Sequence, residues 1–319
     1  MLEQVFKGPS GLRSGWRLLV FILLAAIPFV TLQALLAAVG FRLNLVHGLP
    51  PTVILVAESV EFLCPLFAAW VMLHLEKRTF REYGLPARGA FGREFWVGGG
   101  IGAMALSVLM VGIRLGNGFY FGSVALGTKG ILYYGAMWAV AFLVVGFAEE
   151  FLFRGYALAT LTDGIGFWPA AIVLSGLFGV VHLQNLGENP TGALSAGLVG
   201  LLFCFSLRRT GSLWFAIGLH AAWDYGESFV FSVPNSGAVV RGHLLNSYFQ
   251  SGAPAWLTGG SVGPEGSVLV FIVLAILFVV VNRMYPEAKF PAHPAGANVN
   301  PPPEAGVVSS VPDIAGGND

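Results

Sequence analysis

Residues 131–158 read ILYYGAMWAVAFLVVGFAEEFLFRGYAL. The run from Ile131 to Ala148 has no charged side chain and is close to the roughly 20 residues needed to cross a bilayer, after which Glu149, Glu150 and Arg154 arrive together. An apolar helix that ends in acids at membrane depth sets the terms for the rest of the chain, because each such acid costs several kcal/mol unless it is paired or faces an internal cavity.

Comparable apolar runs cover Trp16–Gly40, Thr52–Leu75, Phe95–Leu115, Trp168–Gln184, Thr191–Leu207, Ser212–Phe231 and Ser267–Val281. The sequence therefore predicts an all-α, polytopic integral membrane protein of about eight transmembrane helices enclosing an intramembrane cavity. Composition agrees: 55% of the 319 residues are hydrophobic and 11% charged, against about 25% charged in a soluble domain. The formal net charge is zero, which gives no basic surface for nucleic acid. Cys64 and Cys204 lie in apolar runs and read as packing residues.

The cations are unevenly spread. Lys7, Arg13, Arg17, Lys77, Arg78, Arg81, Arg88, Arg93, Arg208, Arg209, Arg283 and Lys289 fall in segments that alternate crossings place on one side, while Arg42, Lys129 and Arg241 fall opposite and Arg114 sits at a helix end. The positive-inside bias makes the first set cytoplasmic and puts both termini there. The expected division is a cytoplasmic segment at 1–15, a membrane domain at 16–284 and a disordered Pro/Gly/Ala-rich tail at 285–319. The first span is too long for a cleavable signal. The 116–130 and 234–266 connections exceed simple turns, and their aromatics point to interfacial packing.

Three helices carry polar residues at depth. Glu150 and Arg154 are four apart and share a face, which pairs them and leaves Glu149 about 100° away as a candidate general base. Phe178 and His182 share a face of the fifth run, and His220 and Asp224 share a face of the seventh, with Glu227 one turn on. Each pair also fits a packing network that merely holds helices together, so the residues alone leave both readings open. Counting helix rise sets Glu149 and His220 at matching depths and opens the cavity toward the cytoplasm. Glu58 and Glu61 stand one turn apart on the second run with no cation nearby.

EEFLFR at 149–154, FGVVH at 178–182 and HAAWD at 220–224 resemble the EExxxR, FxxxH and HxxxN/D motifs of the CPBP family of intramembrane proteases (CAAX protease and bacteriocin-processing, also called ABI). REYGLP at 81–86 and RTGSLW at 209–214 extend the likeness over roughly residues 80–232. The resemblance implies an endopeptidase acting on a membrane-associated or lipidated polypeptide. Glu149 would activate water, His182 position it, and His220 with Asp224 hold the oxyanion; Glu150, Arg154 and Phe178 would support them. Eukaryotic members remove the last three residues of prenylated CAAX proteins. Asp224 stands where several members have Asn; ionised, it repels an oxyanion, so it is protonated, orients His220 or stands outside a metal's ligands. Two histidines and a glutamate also resemble a catalytic zinc set, with His182 and His220 as ligands, although no HExxH occurs. The competing functions are a catalytically silent binding or immunity protein and a proton-coupled transporter. The setting implied is the inner membrane of a prokaryote, with lipid and polypeptide as partners and no nucleic acid.

Overall fold

A computed structural model describes residues 6–8, 11–39, 48–185 and 187–290. Arg42 and the tail from residue 291 onward lie outside the described residues. A short antiparallel ladder of β1 (Lys7–Gly8) and β2 (Gly11–Leu12) precedes helix α1 (Ser14–Ala38), followed by α2 (Pro51–Glu76) and α3 (Arg93–Leu115). Then come strand β3 (Phe119–Tyr120), α4 (Thr128–Arg154), α5 (Tyr156–Ile165), α6 (Phe167–His182) and α7 (Pro190–Thr210). Helix α8 (Trp214–Tyr225), strand β4 (Tyr248–Phe249), the single turn α9 (Ala255–Thr258) and α10 (Leu269–Met284) complete the order.

Every apolar run forms helix, but not every one is a full-length span. Among the described residues, five stretches are long and apolar enough to cross a membrane: α1, α2, α3, α4 with α5, and α7. Helices α6 and α10 have 16 residues each. The fourth run breaks at Gly155, whose φ of −80° and ψ of −114° depart from helix, so α5 leaves at an angle just after Arg154. The seventh run stops at Tyr225 and continues as one π-helical turn, Gly226–Val230.

Local chemistry sets the ends. Asn189 accepts the amides of Thr191 (2.9 Å) and Gly192 (3.0 Å) at the start of α7, and Pro190 follows at the first helical position. Gly211 closes the same helix in the left-handed region at φ 75°.

Helices α3 and α8 are pressed backbone to backbone. A Cβ built on Gly98 would overlap the Phe215 carbonyl, and one built on Gly218 would overlap that of Phe95. Such small-residue seams let helices pack where lipid offers no hydrophobic drive. This one fixes the height of His220 on α8.

The cations do gather at one face. Arg17 meets Glu76 (2.5 Å) and Asp163 (3.0 Å), and Arg78 meets Asp163 (2.7 Å), which joins α1, α2 and α5; Tyr156 donates to Glu76 beside them. Above this network Trp214 packs against Phe91 and Phe147, and Tyr83 is wholly buried. The opposite face carries the long connections, where β3 pairs antiparallel with β4, Phe119 facing Phe249, and Leu49 bridges Val240.

Residues 285–290, read from sequence as the start of a free tail, pack instead at the cation-rich face. Phe290 is buried near Phe167, and the amides of Lys289 and Phe290 donate to the Arg208 carbonyl. Their signal was two aromatics, Tyr285 and Phe290, at the head of a Pro-rich stretch, too little for composition to register.

Candidate active site

Glu150 and Arg154 form the buried centre. Arg154 Nη1 lies 3.3 Å from Glu150 Oε1, and both side chains are wholly buried. The guanidinium is held over the Phe178 ring at 4.2 Å, with Phe153 at 5.5 Å and Phe203 at 5.7 Å. Three aromatic faces around a desolvated cation replace part of its lost hydration. Gly200 makes this enclosure fit, because a Cβ there would overlap Arg154 Nη2.

The same Glu150 oxygen also takes His220. Nδ1 of His220 lies 3.0 Å from Glu150 Oε1, while Nε2 faces Asp224 Oδ2 at 3.5 Å and Glu149 Oε2 at 3.8 Å. The Phe203 ring stacks on the imidazole at 5.4 Å. The helical spacing foretold the Glu150–Arg154 pair and the separate aim of Glu149. It did not foretell that Glu150 orients His220, since that contact joins α4 to α8.

Glu149 Oε2 is buried and has no hydrogen-bond partner. It lines a cavity of about 550 Å³ together with His182, His220 and Asp224. His182 sits at the last residue of α6, its ring 4.4 Å from that of Phe178 and its Nδ1 2.8 Å from the Phe178 carbonyl oxygen. A carbonyl only accepts, so Nδ1 carries the hydrogen and Nε2 keeps a lone pair. The four expected catalytic residues thus share one cavity; of the three supporting ones Phe178 also lines it, and Glu150 and Arg154 stand behind.

The cavity opens the other way from the sequence expectation. Its lining outside the helices is Leu49, Asn185, Asn235–Val240 and Glu265, all from connections at the cation-poor face. None comes from the 77–92, 211–213 or 285–290 connections. Glu149 lies five residues from the cation-rich end of α4 and His220 six from that of α8, where Trp214, Phe91 and Phe147 pack against one another.

Sequence reasoning missed Glu265, Ser228 and Phe203. Glu265 accepts the Ser236 hydroxyl at 2.6 Å and belongs to a Pro/Gly connection with no signal of its own. Phe203 looks like any apolar residue of α7. Burial pushes the nearby Glu188 carboxyl above the usual range, and the Asn189 amide at 2.9 Å pulls the other way.

The proposed zinc set does not assemble. Among the described residues, the side chains whose donor atoms fall within 4.8 Å of one another are Asp224, Glu227 and Glu265, an all-oxygen group without histidine. Glu149, His182 and His220 do not converge in that way. Zinc favours nitrogen and sulfur donors in tight tetrahedra, so these residues do not fit it.

Residues 131–226 match the family model described as type II CAAX prenyl endopeptidase Rce1-like. The likeness to that family covers just under a third of the 319 residues. They run from the start of α4 through Asp224 and contain all three motifs. No curated protein matches the chain. The match to a membrane protease family and the several long apolar helices together point to a multi-pass membrane protein.

Proposed function

We propose that the chain is an intramembrane endopeptidase in which Glu149 activates water against a peptide bond of a membrane-associated polypeptide. The observation that carries this reading is the unpartnered Glu149 Oε2, in the cavity and 3.8 Å from His220 Nε2. A carboxylate oxygen that makes no hydrogen bond to the fold is free to take a proton.

The steps follow from the donors present. Glu149 accepts a proton from a water whose other hydrogen is held by the His182 Nε2 lone pair, and the oxygen attacks the carbonyl carbon. The resulting oxyanion is met by Nε2–H of His220 in its imidazolium form, with Glu150 accepting from Nδ1–H and Asp224 beside the ring. Glu149 then returns its proton to the leaving nitrogen as the C–N bond breaks, giving a carboxylic acid and an amine. Glu150, Arg154 and Phe178 position His220 and His182. No step passes through a metal.

The eight-helix count, with α6, α10 and α8 plus its π turn crossing the membrane beside the five longer stretches, belongs to this reading. So does the orientation: the cation-rich face is cytoplasmic, the membrane is the inner membrane of a prokaryote, and the cavity takes its substrate from the other side. The test is profiling of new N-termini in host membranes that carry wild type or Glu149→Gln at matched expression. Specific termini that vanish in the variant support the protease. Identical profiles, with a phenotype only on removal of the whole protein, would favour a binding protein.

A further inference from the structure

Two cavity carboxylates take no part in those steps. Glu58 and Glu61 project from α2, seven and ten residues past Pro51, or about 10 and 15 Å inward from the cation-poor face at a rise of 1.5 Å per residue. Glu58 Oε2 is buried with no hydrogen-bond partner. Both carboxyls lie within electrostatic reach of Glu149.

The cavity they share holds more acids than bases. Glu58, Glu61, Glu149, Asp224 and Glu265 line it beside the imidazoles of His182 and His220, and among the described residues no Lys or Arg does. Arg154, the nearby buried cation, is closed off behind Phe178 and committed to Glu150. Ser228, wholly buried and also in the lining, leaves its Oγ without a partner, a second polar group awaiting one. Ile54, Phe142 and Val145 give the same wall an apolar stretch that suits an aliphatic stem. Among the described residues, a C-terminal carboxylate held a few residues from the cleaved bond finds no Lys or Arg in this lining.

We infer that Glu58 and Glu61 form a subsite for a lysine or arginine side chain of the substrate, presented from the cation-poor face. The inference rests on the protease reading above. It identifies the substrate as an internal, basic polypeptide segment rather than a terminal carboxylate.

The test uses the full-length protein in lipid nanodiscs and membrane-anchored, quenched-fluorescence peptides that are identical except for Lys, Arg, Gln or Glu at one position, scanned along the sequence. At one position the Lys and Arg peptides should exceed the Gln peptide about tenfold in kcat/KM, an effect of about 1.4 kcal/mol, and the Glu peptide should fall below it. The Lys-to-Gln ratio should approach one in Glu58→Gln/Glu61→Gln, and Glu61→Lys should favour the Glu peptide. Equal cleavage of all four peptides at every position, or a ratio unchanged in the double variant, overturns the subsite and leaves the protease intact. If wild type cleaves none of them, binding of the same peptides to Glu149→Gln decides. A Lys preference lost in Glu58→Gln/Glu61→Gln/Glu149→Gln keeps the subsite while the protease reading fails, and its absence removes both.

Discussion

His220 Nδ1 lies 3.0 Å from Glu150 Oε1, the same oxygen that Arg154 approaches at 3.3 Å. One buried carboxylate oxygen therefore sets both the height of a cation and the orientation of a ring on a different helix. Loss of Glu150 should be felt at His220 before it is felt in the fold at large.

Arg154→Ala leaves Glu150 charged and wholly enclosed, and breaking a buried pair in this way costs about 3–5 kcal/mol. Arg154→Lys should also be poorly tolerated, since an ammonium cannot lie flat on the Phe178 ring as a guanidinium does. The combination Glu150→Gln/Arg154→Met should be less destabilised than the sum of its single changes. Thermal unfolding of the four proteins in detergent measures the coupling, and simple additivity would count against the pair.

Glu149→Gln keeps the shape of a side chain that makes no hydrogen bond through Oε2. Its melting temperature should stay within a few degrees of wild type while peptide cleavage falls by at least about 10²-fold, as loss of a general base does. An active Gln variant removes Glu149 from the mechanism.

Asp224 stands 3.5 Å from His220 Nε2, so its work is to sit beside the ring as a polar neighbour. Asp224→Asn should retain most activity, and Asp224→Ala should lose about 10²-fold or more, in the range of an oxyanion-site contact. If both variants fail equally, the negative charge itself is needed and the oxyanion role is wrong.

Gly218→Val would drive a side chain into the Phe95 carbonyl across the α3–α8 seam. Overpacking of this kind typically costs about 1–3 kcal/mol. The variant should lower the melting temperature and raise KM and lower kcat together, because His220 moves with α8. Gly100→Ala, with open space around its Cβ position, is the matched control.

Much of this site can be read from spacing alone. Intervals of four residues put Glu150 with Arg154, Phe178 with His182 and His220 with Asp224, because a helix fixes those neighbours locally. What spacing cannot carry is contact between helices: Glu150 with His220, Phe203 on the imidazole, or Glu265 reaching the cavity from a long connection. The break at Gly155 and the π turn after Tyr225 were hidden for a related reason, since apolar runs look the same whether the helix inside them is straight or interrupted. The direction of the cavity was lost because helix rise measures depth without saying which face supplies the lining connections.

The one-sided lining has a bearing on the cell's energy supply. A hydrolase needs water at its carboxylates, and water-filled passages through a membrane let protons run down their gradient. Here the Arg17, Glu76, Asp163 and Arg78 network and the Trp214 cluster sit at the cation-rich face, while the connections that line the cavity come from the other face. A cavity built in that way can be wet at mid-membrane without being a through-passage for protons.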